Sequence, residues 1–166
     1  MTEVIELDLA GLYAAHRLSL IRMAVLLVDD MGTAEDVVHD AFTTLHQHRS
    51  RLREPAAALG YLRTTIVNNA RSVLRKRQTA RRHLSLARLE DADPADSEVL
   101  LAADHQQVLA AVRQLPDRQR EVLVLRYWAD LSEAEIAQAL GISRGSVKSA
   151  ASRGLDRLET MLGDAR

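Results

Sequence analysis

Five side chains near the start of a predicted helix could donate hydrogen bonds to DNA: Arg144, Ser146, Lys148, Ser149 and, at least one turn further along, Arg153. Guanidinium, ammonium and hydroxyl groups recognise base edges in the major groove and the phosphates beside it. Gly145 adds no bulk, so the backbone N–H groups at the helix start can also approach a phosphate. The pattern indicates DNA binding, although a helical hairpin with a solvated basic face would show the same residues.

Two helices joined by a tight turn must position those side chains. Ser132 and Glu135 have the types and spacing of a capping box, which predicts a helix start. Gly141 suits the left-handed residue that ends this helix, because it has no Cβ. Ser143 then caps a second helix, with Ile142 predicted as a buried residue in the turn. The result is a predicted helix-turn-helix, a motif whose second helix enters the major groove by its N-terminal end.

A second candidate surface lies on a helix predicted from Pro55 to about Gln78, after the basic connector 48–54. Guanidinium groups, amides and the ring of Tyr61 suit single-stranded nucleic acid, whose bases can be stacked and read on their edges. A solvated basic helix face is the alternative. Gly60 costs a helix about 1 kcal/mol relative to Ala, which allows a bend there. The polar face of this helix carries Arg63, Asn68, Asn69, Arg71, Arg75, Lys76 and Arg77.

The net charge of −1 results from blocks of opposite sign. Residues 1–48 carry −6 (2 basic, 8 acidic), residues 49–88 carry +10 (11 and 1), residues 89–117 carry −6 (1 and 7) and residues 118–166 carry +1 (8 and 7). The basic block suits a nucleic-acid surface, because each neutralised phosphate releases counterions. The acidic blocks would repel DNA and suit a basic protein partner.

The composition predicts an all-helical protein. Of the 166 residues, 47% are hydrophobic but only 3% aromatic, and no stretch alternates apolar with polar residues over the length of a strand. The absence of cysteine excludes disulfides and thiolate zinc sites. No uninterrupted apolar run approaches the roughly 20 residues of a membrane span, and the acidic N-terminus does not resemble a signal peptide. We therefore expect a cytoplasmic protein without membrane insertion.

Helical periodicity also organises the N-terminal part of the chain. It predicts one helix over residues 9 to about 28 and a second one capped by Thr33. His39, His46 and His48 follow in that second helix but lack the i,i+4 spacing of a helical metal site. We therefore predict no metal and no cofactor.

The periodicity is lost from residue 79 to about residue 96, where turn-forming and acidic residues predict a flexible linker. It returns at Val99, and Pro116 is predicted to end one helix and start another. In that last helix Tyr127 is expected to pack in the core beneath the helix-turn-helix, and Trp128 in that core or at its edge.

Three stretches occur in the order and spacing of one protein family. LPDRQREVLVLRYWADLSEAEIAQALGISRGSVKSAASRGLDRL closely matches the promoter-binding region 4 of the extracytoplasmic-function (ECF, or group 4) sigma factors of bacterial RNA polymerase. AEDVVHDAFTTLHQH resembles their region 2.2, and YLRTTIVNNARSVLRKR resembles regions 2.3 and 2.4. A helix-turn-helix alone would not distinguish a repressor from a sigma factor, but the combination does.

The resemblance implies an all-α fold of two small domains: sigma region 2 over residues 1–80 and sigma region 4 over residues 99–166, joined by an acidic linker over 81–98. It implies core RNA polymerase as partner, through its β′ clamp and β flap, together with promoter DNA and, in many relatives, an anti-sigma factor. Asp36, Asp40 and Phe42 would dock the clamp. Arg144, Ser146, Lys148, Ser149 and Arg153 would bind the −35 element. The −10 element would contact Arg49, Arg51, Tyr61, Arg63, Asn68, Asn69, Arg71 and Arg75.

The chain departs from the family pattern in both regions. Tyr61 and Ser72 stand where many members have Trp and Asp, so the packing around the −10 pocket can differ. Ala150 and Ala151 replace an Arg-Leu pair that is common in the recognition helix, which removes one contact of the wider family.

Three hypotheses follow. In the first, the protein is an initiation specificity factor without catalysis, whose two modules read DNA elements at a separation set by polymerase. A stand-alone regulator would instead bind two-fold symmetric DNA tightly without polymerase. An enzyme using His39, His46 or Asn68 has little support, because no nucleophile–base pair, phosphate loop or metal motif is present.

Overall fold

The computed structural model describes residues 7–52, 54–84 and 103–163. Over these residues the chain is helical and contains no strand, which confirms the predicted all-α class. Residues 85–98, most of the predicted linker, lie outside the described part. The elements are α1 (Leu9–Val28), α2 (Met31–His48), a short 3-10 turn (Arg49–Arg51), α3 (Pro55–Leu84), α4 (Ala103–Arg113), α5 (Asp117–Tyr127), α6 (Glu133–Leu140) and α7 (Arg144–Gly163).

Helices α1, α2 and α3 form the first module. Each contributes one apolar stripe to a common core, whose largest fully buried side chains include Met23, Leu26, Leu45, Leu62 and Ile66. By length and composition α1 could cross a membrane. Its C-terminal half, however, is buried against the other helices.

The junction between α1 and α2 differs from the prediction in its capping residue. Asp30, rather than Thr33, is the N-cap of α2, and its carboxylate accepts a hydrogen bond from the Thr33 backbone N–H at 2.8 Å. Asp29 ends α1 in a left-handed conformation, with φ 69°. The short carboxylate of an aspartate tolerates this conformation and is a strong helix cap, which explains why two consecutive aspartates suffice for the turn.

Helix α3 continues without interruption through Gly60 and extends six residues past its predicted end at Gln78, to Leu84. The extension is exposed and contains several basic residues, so the loss of an apolar stripe after residue 78 did not mark the helix end. No atom lies within 4 Å of the position that a Cβ on Gly60 would occupy. The glycine therefore neither interrupts the helix nor admits a close neighbour.

Helices α4 to α7 form the second module. Pro116 separates α4 from α5, as predicted, and stands at the N-cap of α5. The core is built from Val122, Leu123, Val124 and Leu125 of α5 together with Ile136 and Val147. Gly154 in α7 allows close packing here, because a Cβ on it would lie 2.9 Å from Leu123 Cδ1.

The expected core position of Tyr127 is wrong, and Trp128, expected in the core or at its edge, is exposed as well. Tyr127 is 57% exposed and Trp128 is 40% exposed, while the aliphatic residues before them fill the core. Leu155 of α7 is 43% exposed, and Ala134 of α6 is also exposed. Ile142 is half-buried in the turn rather than fully covered. The exposed residues lie at the ends or the edges of the buried stripes.

The two modules are in contact. Helix α1 packs against α4 and α5, and α3 packs against α6. A single cluster of buried apolar residues consequently runs through both modules. The sequence predicts two domains joined by a linker and did not indicate that they would be in contact.

Candidate nucleic-acid interface

The helix-turn-helix forms as the capping signals predict. Ser132 Oγ accepts from the Glu135 backbone N–H at 3.3 Å, and the Glu135 carboxylate accepts from the Ser132 N–H at 2.8 Å, which completes the capping box. These hydrogen bonds lower the pKa of the Glu135 carboxyl, since they stabilise its charged form. Gly141 ends α6 in the left-handed conformation, with φ 63°. Ser143 precedes α7 and accepts from the Ser146 N–H at 3.1 Å.

The buried side of α7 fixes which side chains face outward. Val147, Ala150 and Ala151 are buried against the second module's core. Because these positions are three to four residues apart, the intervening positions form one exposed face. That face presents all five predicted DNA contacts of the helix: Arg144, Ser146, Lys148, Ser149 and Arg153.

Local contacts hold part of this face in place. Arg153 Nε donates to the Ser149 carbonyl at 3.2 Å, one helical turn back. Lys148 Nζ lies 3.8 Å from a carboxylate oxygen of Glu133 on α6. Lys148 is itself largely exposed, so this ion pair is weak and leaves the ammonium available to DNA.

An open recess at the N-terminal end of α7 adds a residue that the sequence did not suggest. Arg118 of α5 lines it together with Ser143, Ser146, Ser149 and Arg153. Two guanidinium groups, three hydroxyls and the positive end of a helix dipole suit a phosphate group. Arg118 belongs to a different helix from the recognition motif, and no spacing signal links the two in the sequence.

The basic face of α3 is divided between exposed and engaged residues. Asn68 and Arg75 are exposed and available to a ligand. Asn69 is half-buried, with its side-chain amide 3.4 Å from the Val37 carbonyl of α2. Tyr61 is half-buried against the core of the first module. Asn68 and Arg75 are therefore the exposed members of the predicted −10 set on this helix, within the part of the chain that the structure describes.

Arg71 and Arg63 face the second module instead of solvent. Arg71 Nε and Nη2 donate to the two carboxylate oxygens of Glu121 at 2.6 and 2.7 Å. These hydrogen bonds raise the pKa of Arg71 above its usual value. Arg63 is half-buried, and burial lowers the pKa of its guanidinium, while the charges of Glu135 and Asp130 partly offset that effect.

The predicted connector contacts lie between α2 and α3. Arg49 and Arg51 belong to the 3-10 turn and are both exposed. Arg49 Nη1 donates to the His46 carbonyl at 3.1 Å and contacts the imidazole of that residue. Arg53 lies outside the described residues. The turn therefore places two guanidinium groups beside the start of α3.

Helix α2 carries the predicted protein-docking residues. Asp36 and Asp40 are exposed, one turn apart on α2. Phe42 is 8% exposed and packs edge-to-face on Tyr13 of α1, with ring centroids 4.9 Å apart. Arg17 lies over the ring of Tyr13. The structure thus exposes the two carboxylates and buries Phe42 against α1.

No group of three or more histidine or acidic side chains is placed to hold a metal ion within the residues that the structure describes.

The predicted contact residues lie on three surfaces: the exposed face of α7, the partly covered face of α3 with the adjacent turn, and the acidic face of α2.

Comparisons with known proteins identify two family regions in the chain. The family model for sigma-70 region 2 matches residues 12–80, and the model for sigma-70 region 4 matches residues 105–158. The RNA polymerase sigma-E factor of Streptomyces coelicolor is 31% identical over 144 residues, which cover 87% of this chain and 80% of that protein. The ECF RNA polymerase sigma factor SigM of Mycobacterium tuberculosis is 31% identical over 152 residues, covering 92% and 76%.

Solved structures share the fold. The sigma factor RpoE from Bartonella quintana, crystallised with the anti-sigma factor NepR, superposes with a TM-score of 0.79 at 23% identity, over 96% of this chain and 99% of that one. CnrH in complex with the cytosolic domain of CnrY superposes with a TM-score of 0.68, also at 23% identity, over 95% and 89%.

Proposed function

The chain belongs to the sigma-70 family, in its extracytoplasmic-function group, and from this premise we propose which of its surfaces carries each step of initiation. A sigma factor directs promoter-specific transcription initiation, and that is the function of this chain. We propose that it acts in the cytoplasm without catalysis of its own, bound to core RNA polymerase and promoter DNA.

The observation that carries this assignment is the presence of both DNA-reading modules on one chain. Region 4 supplies a helix-turn-helix with five exposed donors on α7, and region 2 supplies a long basic helix beside a basic turn. A stand-alone regulator needs only the helix-turn-helix of region 4. The basic residues of region 2 suit the single DNA strand that sigma factors capture when a promoter melts.

At the −35 element, the exposed face of α7 would enter the major groove. Arg144, Ser146, Lys148, Ser149 and Arg153 would contact base edges and the adjoining phosphates. We add Arg118 to this set as a phosphate contact, because it lines the recess at the start of α7. Region 4 would also contact the β flap, and the exposed rings of Tyr127 and Trp128 offer apolar area for a protein partner.

At the −10 element, α3 and the preceding turn would hold the melted strand. Arg49, Arg51 and Arg75 provide exposed guanidinium groups for its phosphates, and Asn68 provides an exposed amide for a base edge. Tyr61, Arg63, Asn69 and Arg71 belong to the same predicted set. Of these, Tyr61 and Asn69 pack into their own module and would serve as support, whereas Arg63 and Arg71 must be released from region 4 to reach DNA.

The acidic face of α2 would dock the β′ clamp. Asp36 and Asp40 give two adjacent exposed carboxylates that suit a basic helical surface. Phe42 would act through its packing on Tyr13, which fixes α2 relative to α1. RpoE was crystallised with the anti-sigma factor NepR, and we propose a protein inhibitor of that kind as a further partner of this chain.

Run-off transcription with core polymerase and a genomic promoter library tests the assignment. We expect transcripts from a set of promoters that share two sequence elements at a fixed spacing, and no transcripts from core enzyme alone. Transcription that does not depend on the added protein would contradict the proposed function. A variant with Arg144→Ala and Arg153→Ala serves as the matched control for DNA recognition, because both positions are exposed and outside the core.

A further inference from the structure

The contact between the two modules contains charged groups of opposite sign beside the shared cluster of apolar side chains. Region 2 contributes Arg63 and Arg71 from α3, and region 4 faces them with Glu121, Asp130 and Glu135. A second, looser ion pair, with 3.8 Å between Arg113 Nε and Asp29 Oδ1, joins α4 to the end of α1.

The strongest element of this contact is the pair of hydrogen bonds from Arg71 to Glu121. Both carboxylate oxygens are engaged, at 2.6 and 2.7 Å, in the fork geometry that arginine also uses for phosphate. The side chain of Glu121 is 10% exposed and that of Arg71 is 25% exposed, so water screens the pair only partly. Arg118 Nη1 contacts the same carboxylate at 3.3 Å, within region 4.

The residues covered by this contact are ones that the −10 interaction would need. A carboxylate held against Arg71 occupies the donors that a DNA phosphate would take, and region 4 half-buries Arg63 as well. We propose that region 4 inhibits region 2 within the same chain, with Glu121 as a latch that holds Arg71 away from promoter DNA. The proposal rests on the proposed −10 role of α3.

Opening the latch requires a partner that binds the two modules while they are separated from each other. Core polymerase would supply it if the two modules dock at separate sites, because a partner that binds only the open form shifts the population toward that form. In the free protein only open molecules can bind a single strand through these residues. The apparent affinity of α3 is therefore its intrinsic affinity multiplied by the fraction of molecules that are open. The contact therefore lowers the affinity of the free factor for DNA, and no other protein is needed for this effect.

The absence of native cysteine makes the distance between the modules directly measurable. Spin labels on cysteines at the exposed positions Gln47 of α2 and Glu159 of α7 would report it in the full-length chain by electron–electron double resonance. Glu121→Gln removes the latch charge at constant size. Asp130→Asn weakens the attraction to Arg63 at an exposed position, and asparagine tolerates its left-handed backbone, with φ 54°. Asp156→Asn is the control, since it removes one exposed charge of α7 that forms no ion pair between the modules among the described residues.

We expect one narrow distance distribution in the parent and in Asp156→Asn, and a broader, longer one in Glu121→Gln and in the double variant with Asp130→Asn. Binding of a short fluorescein-labelled single-stranded DNA of mixed sequence, without polymerase, should tighten about threefold or more in the latch variants. Thermal melting identifies any variant that fails to fold. If Glu121→Gln does not fold, the distance distribution and the single-strand affinity of the single variant Asp130→Asn test the proposal.

Two results would overturn the proposal. One is an unchanged distance distribution in every folded latch variant, and the other is a broadened distribution with unchanged affinity for the single strand. Failure of the −10 assignment itself gives a different result. Among the described residues Arg75 forms no ion pair with region 4, so Arg75→Gln should weaken single-strand binding in both the parent and the latch variants. If it weakens neither, the role of α3 is wrong whatever the latch does.

Discussion

Arg77 of α3 donates to the carboxylate of Asp30 at 3.0 Å, and the same aspartate caps α2. Arg77 also donates to the Thr33 hydroxyl and to the Val28 carbonyl at the end of α1. One guanidinium group therefore ties the C-terminal half of α3 to the turn between α1 and α2. Although Arg77 belongs to the basic face that the sequence assigns to solvent, its function here is to join the three helices of region 2.

The capping role of Asp30 gives a prediction for stability. Burial alone would raise the pKa of Asp30, but hydrogen bonds from Thr33 and Arg77 outweigh it and lower the pKa below the ordinary value of 3.8. Asp30→Ala should lower the free energy of unfolding by about 1 kcal/mol at neutral pH. Chemical denaturation followed by circular dichroism measures this difference.

The same pKa shift fixes the sign of the pH dependence. The contribution of the Asp30 carboxylate is complete above the pKa of the unfolded chain and is lost as the pH falls through the lower pKa of the folded state. The stability difference between the parent and Asp30→Ala should thus shrink as the pH drops below the ordinary aspartate range. Asp30→Asn retains the cap and is the control. A difference that grows on acidification would refute the account of this residue.

Glycine-to-alanine substitutions at two positions should have opposite effects. Gly141 has φ 63°, which an L-residue adopts at a cost of about 1 kcal/mol, so Gly141→Ala should destabilise region 4 by about that amount. Gly60 lies inside α3 with no neighbour near its missing Cβ, so Gly60→Ala should stabilise the helix by about 0.5–1 kcal/mol. Thermal melting of both variants checks the pair, and a shift of the same sign in both would contradict these backbone assignments.

Charge reversal on α2 tests the polymerase-docking face. Asp36→Lys with Asp40→Lys should weaken binding to core polymerase by about tenfold or more, because like charges would then face the clamp. The neutral pair Asp36→Asn with Asp40→Asn should lie between the parent and the lysine variant. Both residues are exposed, so the melting temperature should not change. Fluorescence anisotropy with labelled sigma factor measures the affinities, and equal affinity of all three proteins would remove α2 from the docking surface.

Arg144 offers a test of base recognition. If its guanidinium reads a base edge, Arg144→Ala should cost about 1–3 kcal/mol of discrimination and relax the preference at one position of the −35 element. Arg157→Ala, also exposed but three turns or more along α7, should leave the preference intact. The measurement is selection of −35 sequences from a randomised promoter by each holoenzyme. Identical selected sequences for the parent and Arg144→Ala would show that Arg144 does not specify a base.

Local signals in the sequence predicted local structure well. The capping box at Ser132 and Glu135, the left-handed Gly141 and the cap at Ser143 all depend on neighbours within a few residues, and all three form. At the start of α2 the sequence pattern favoured Thr33 over Asp30 as the cap, because it did not indicate that Asp29 alone ends α1.

Interactions between distant segments could not be predicted in the same way. Arg71 is one of eleven basic residues between positions 49 and 88, and charge patterning does not indicate which of them will meet Glu121, fifty positions away. Trp128 was assigned to the core because large rings usually provide buried area. The aliphatic run from Val122 to Leu125 already fills that space, which leaves the ring at the end of α5 and exposed. Arg118 reaches the start of α7 only through the packing of α5 on α7.

The central claim is that two modules of one chain read promoter DNA selectively only when polymerase holds them in place. The most direct test is a gel-shift titration of a promoter selected by run-off transcription, using the full-length protein with and without core polymerase. We expect a specific complex with core polymerase that is lost when the spacing between the two DNA elements is changed, and only weak, sequence-independent binding without it. Tight and specific binding by the protein alone, unaffected by that spacing, would contradict the account.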